Sequence, residues 1–141
     1  MRALVRQILS TAVLTVALGS CSSDTTENTD INAVAGAYVL LTIDGQSLPV
    51  VVDQQGADIA EVIEGDVDLA TDLTFTDVTT LRLTIGGVVT TEADPATGTW
   101  SVTGTTVRFT PTDGSPVYTM TWNGTDRLTQ LFQGFTLVYE K

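Results

Sequence analysis

The chain encodes an all-β domain, an antiparallel meander of about eight to ten short strands. Three observations predict it. Beyond Gly36, runs of Val, Ile, Thr, Leu and aromatic residues are broken at close intervals by Gly, Asp, Asn and Pro. Several runs alternate apolar with polar residues, as where Leu81, Leu83 and Ile85 interleave with Thr80, Arg82 and Thr84. No stretch in this part carries helical spacing. An up-and-down barrel satisfies this pattern, and a β-sandwich or half-open barrel is the alternative.

The first strand reads Tyr38 to Ile43 and ends at Asp44-Gly45, a strong hairpin signal. Leu48 to Val52 follows, where Pro49 argues for an edge or a strand start. Ile59–Ile63 and Val67–Thr76 come next, with Gly65-Asp66 read as their separator. The alternating run from Thr80 continues towards Thr91, with Gly86-Gly87 as a bulge or bend. Asp94-Pro95-Ala96-Thr97-Gly98 has the composition of a turn. Five evenly spaced strands then follow: Thr99–Thr103, Thr105–Thr110, Val117–Trp122, Arg127–Phe132 and Phe135–Glu140. Tight turns at Gly104, Asn123-Gly124 and Gly134, and a loop from Pro111 to Pro116, separate them.

The start of the chain has a different texture. Arg2 and Arg6 precede an apolar run, Ile8 to Ala17, which is about half the length of a spanning helix. Leu18-Gly19-Ser20-Cys21 closes this leader and supplies the protein's single cysteine. These four residues resemble the lipobox of bacterial lipoproteins, with the large aliphatic residue three places before the cysteine. The resemblance implies removal of residues 1–20 and lipidation of Cys21 as a diacylglyceryl cysteine with a further acyl chain such as palmitate. Two or three chains hold a protein firmly to a bilayer, at roughly 0.8 kcal/mol per buried methylene. Ser22 after the cysteine implies an outer-membrane destination, with the domain in the periplasm or at the cell surface. Residues 21–34 are nearly all small or polar and read as a disordered tether. The β domain then spans 35–141.

All 17 acidic residues follow Cys21, against only Arg82, Arg108, Arg127 and Lys141, so the chain without its leader carries a net charge of −13. Such a surface repels phosphate backbones, which excludes nucleic acid as a partner, and it favours a soluble monomer. The chain has no histidine, which removes the usual general base and the commonest metal ligand. No residue set argues for an enzyme, and no cofactor or metal is implied.

Within the β domain, Gly36-Ala37-Tyr38, Asp44-Gly45 and Leu48-Pro49 resemble the opening of small bacterial lipocalin-like lipoproteins. Gly98-Thr99-Trp100-Ser101-Val102 with Gly104 and Thr106-Val107, and the ending from Phe135 to Lys141, are similar to theirs as well. The resemblance implies a calycin-type barrel. Lipocalins pair a tryptophan on the first strand with a basic residue after the last; Tyr38 and Lys141 stand in those places.

Trp100, Phe109, Tyr118, Trp122 and Phe135 are the candidate ligand-binding residues. All lie on predicted strands, and on an interior face they would line a pocket for a small apolar molecule. The competing reading makes them a filled core, in a non-enzymatic structural or interaction protein of the cell envelope. The acids from Asp53 to Asp77 offer Asp66, Asp68 and Asp72 to calcium, but the regular calcium loop is missing and a solvated face accounts for them.

Overall fold

A computed structural model describes residues 29–141. A single helical turn, α1 (Ile31–Val34), precedes ten strands: β1 (Gly36–Ile43), β2 (Gln46–Ser47), β3 (Val50–Gln55), β4 (Asp58–Leu69), β5 (Thr74–Ile85), β6 (Val88–Thr103), β7 (Thr106–Pro111), β8 (Tyr118–Trp122), β9 (Arg127–Phe132) and β10 (Phe135–Glu140). Neighbours pair antiparallel from β3 through β10, and β10 returns to β1. β1 also pairs with β4, from Gly36↔Leu69 to Val39↔Asp66. Eight strands, β1 and β4 to β10, therefore close an up-and-down barrel, and the sandwich alternative is not adopted.

The closing seam is split. β1 leaves β4 after Val39, and β3 takes over along the other half of β4, from Val50↔Val62 to Gln55↔Asp58. Gly65 stands at the fork, where an added Cβ would meet Leu40 Cδ2 at 2.9 Å. Its lack of a side chain lets two strands approach closely. This corrects the reading of Gly65-Asp66 as the separator of two strands: β4 runs through it. The chain turns instead at residues 70–73, where the Trp100 backbone N–H donates to Leu73 at 2.8 Å and the Trp100 indole Nε1 donates to Ala70 at 2.9 Å.

A second correction concerns Asp94 to Gly98, which lies inside the 16-residue strand β6. The hairpin turn is at Gly86-Gly87, both at positive φ (57° and 81°), the geometry of a tight type I′ connection. Pro95 is tolerated because β7 begins to pair only at Gly98, so the other edge of β6 at Pro95 needs no N–H. Gly98 itself is enclosed: an added Cβ would overlap the Thr110 carbonyl and stand 2.8 Å from Phe75.

A third correction falls at the end of the expected tether. Asp30 caps α1, its side chain accepting from the Asn32 N–H at 2.9 Å. Val34 is fully buried, and the Tyr38 hydroxyl donates to its carbonyl at 2.5 Å. The first apolar residues after the polar stretch, Ile31 and Val34, thus pack on the core. The remainder of the expected tether, the leader and Cys21 lie outside the described residues. Among the described residues no helix is long and apolar enough to cross a membrane.

Strand alternation turns Tyr38, Val67, Leu69, Phe75, Trp100 and Leu128 inward at the end that α1 covers. This end is closed and packed. The opposite end, where the seam forks, is not.

Candidate functional site

The open end contains a cavity of about 560 Å³. It lies between the ends of β1 and β9, the starts of β8 and β10, and the central parts of β4, β5 and β6. Ile43, Val62, Leu81, Val117, Phe135 and Leu137 give it a mostly apolar wall, and Pro111, Pro116 and Phe132 stand at its margin.

A polar cluster interrupts that wall. Asp77 follows Phe75 and precedes Thr79 and Leu81 on the inward face of β5, so the strand places a carboxylate where the alternation calls for an apolar residue. The Tyr118 hydroxyl donates to Asp77 Oδ2 at 2.6 Å. Burial pushes the Asp77 carboxyl above the ordinary carboxylate range; the Tyr118 hydrogen bond opposes the rise, and the charge of Asp94 adds to it. Burial likewise pushes the Tyr118 and Tyr139 hydroxyls up, with the Asp77 charge a further cause in both.

Tyr139 is 1% exposed and Gln130 is 8% exposed, yet both line the cavity. Neither side chain has a hydrogen-bond partner among the described residues, and neither has its polar atoms sealed off. Asp53 and Asp94 line the cavity nearer the outside. Among the described residues no lysine or arginine lines it. Arg82 pairs with Glu61 at 2.7 Å, Arg127 pairs with Glu140, Lys141 lies at the closed end, and Arg108 is exposed on β7.

The five aromatic candidates divide between the two ends. Tyr118 and Phe135 line the cavity. Trp100, Phe109 and Trp122 do not; they are 2%, 0% and 8% exposed and fill the core. Phe109 forms the partition, stacked on Tyr118 with ring centres 4.7 Å apart and edge-on to Phe75 at 5.0 Å. The Trp122 indole N–H has no hydrogen-bond partner among the described residues, although its side chain counters the rise in the Tyr38 pKa.

Sequence reasoning did not find Asp77, Gln130 or Tyr139. Asp77 reads as one of the solvated acids, but its even spacing from Phe75, Thr79 and Leu81 is the signal that it shares their face of the strand. Asp66 and Asp68 do face out, on the opposite side of β4 from Val67 and Leu69. Among the described residues no three carboxylates gather where they could hold a metal ion.

The fold and cavity define a class, a closed eight-stranded up-and-down barrel with one packed end and one hollow end. Comparison with known protein families, with characterised proteins and with solved structures finds no match for the chain.

Proposed function

We propose that this chain is an exported lipoprotein, anchored to the outer membrane through lipid on Cys21, whose barrel holds a small apolar ligand without chemically changing it. The observation that carries the ligand reading is the cavity: about 560 Å³ with a mainly apolar wall lies within the range of small-molecule sites. The two tryptophans, Trp100 and Trp122, are buried in the core and do not line the cavity. The anchor reading rests on the leader and on the Leu18-to-Cys21 sequence.

Native mass spectrometry of the purified full chain tests the carrier role. A discrete added mass that organic extraction removes is expected. A ligand-free mass that is unchanged after incubation with fatty alcohols, amines, acids and envelope lipids would leave a structural or interaction protein as the better reading. For the anchor, Cys21→Ala is expected to move the protein from the membrane to the soluble fraction, and continued membrane retention would count against it.

A further inference from the structure

We infer that the ligand carries a cationic amine head on its apolar body, and that carboxylate-headed molecules are disfavoured. This rests on the carrier reading above and adds the chemistry of the ligand's polar end.

Three observations combine. Among the described residues the cavity wall contains three carboxylates, Asp53, Asp77 and Asp94, and no cationic side chain. An anionic head entering there would find no counter-charge, in a setting where low polarizability strengthens the repulsion. The polar groups facing the space are also incompletely paired. Tyr118 engages only Oδ2 of Asp77, which leaves Oδ1 free, and the nine-tenths-buried side chains of Gln130 and Tyr139 have no partner among the described residues. Buried polar groups ordinarily find partners.

An ammonium group answers both conditions. Its three N–H donors match acceptors available at the Asp77 carboxylate, the Gln130 carbonyl and the Tyr139 hydroxyl oxygen. Its charge also relieves the crowding of Asp77 and Asp94, which the Thr79↔Asp94 and Asp77↔Ala96 pairings place diagonally on adjacent strands. The alkyl part then lies against Leu81, Phe135 and Leu137.

Decylamine, decanol and decanoate have chains of equal length and differ only at the head. Their affinities for the purified full chain, measured by calorimetry near neutral pH, separate the possibilities. Decylamine is expected to bind at least about tenfold more tightly than decanoate, with decanol between them. Asp77→Asn is expected to shrink the amine-to-alcohol ratio several-fold, whereas Asp68→Asn, on the outer wall, should leave it unchanged. The second variant separates a local contact from the general pull of an acidic protein on cations. Should Asp77→Asn fail to fold, Asp94→Asn takes its place with the same expected direction. Decanoate binding as tightly as decylamine would overturn the amine inference and leave the carrier reading intact. Equal narrowing by Asp68→Asn would overturn it too. If none of the three binds, the carrier reading fails and this inference fails with it.

Discussion

Lys141 Nζ stands 5.2 Å from the centre of the Tyr38 ring, so the last residue of the chain covers the first strand of the barrel. The same ammonium donates to the Ala33 carbonyl at 2.7 Å and to the Ala35 carbonyl at 3.1 Å. Tyr38 in turn donates to Val34, and burial pushes its hydroxyl up to about 12. One cation therefore ties α1, β1 and the end of β10 together at the closed end.

Lys141→Met should keep most of the apolar cover and lose the charge. The expected cost is about 1 kcal/mol, since the side chain is exposed and its interactions are shared with water. Urea denaturation at moderate salt measures it. A variant as stable as the parent would show that the tie contributes nothing.

Gly98 and Gly104 separate two reasons for requiring glycine. Gly98→Ala drives a methyl group into the Thr110 carbonyl and the Phe75 ring, with an expected loss of about 2 kcal/mol or more. Gly104→Ala meets open space but must hold φ at +58°, for about 1 kcal/mol. Equal losses in chemical denaturation would contradict the close approach at Gly98.

The two ends of the barrel should answer differently to changes in volume. Phe109→Ala removes the ring between Phe75 and Tyr118 and is expected to cost about 3–5 kcal/mol. Ala96→Phe adds bulk facing the cavity, so its effect on stability should stay within about 1 kcal/mol while ligand uptake falls. Denaturation midpoints and native mass spectra report the two effects. A large stability loss in Ala96→Phe would mean that the open end is already full.

Asp77 should weigh on stability in a pH-dependent way. Its carboxyl is raised in the folded state, so the folded protein binds that proton more tightly than the unfolded chain does. Stability is therefore lost as pH rises from the ordinary carboxylate range through the raised value, and regained on acidification. Asp77→Asn lacks this contribution. Its melting temperature should exceed the parent's by most near neutral pH, and the gap should narrow towards about pH 4. A gap that widens on acidification would reverse the sign of the shift.

Alternation and turn chemistry were enough to read the class of fold. Asp44-Gly45 and Asn123-Gly124 connect strands as expected, and the last four predicted strands match the observed ones closely, because neighbouring hairpins are governed by local preference. The errors fall where a distant strand decides. Gly65-Asp66 and Asp94-Pro95 have the composition of turns, yet both lie within long strands, one permitted by Leu40 crossing β4 and the other by an edge left free at β6.

The candidate site was legible only in part. Alternation assigns residues to two faces without saying which face is interior, so Asp77 could be placed inside only once β5 was paired on both sides. The same closure decided which aromatics are core. Trp100 and Trp122 fall at the end sealed by α1 and Lys141, Phe109 partitions it from the cavity, and Tyr118 and Phe135 fall at the forked end. The sequence by itself determined the strands, most of the turns and the acidic surface, all of which follow from local residue preferences and charge. Only the tertiary structure decided that the barrel is filled at one end and hollow at the other, because that depends on how the split seam between β1 and β4 distributes interior side chains along the axis.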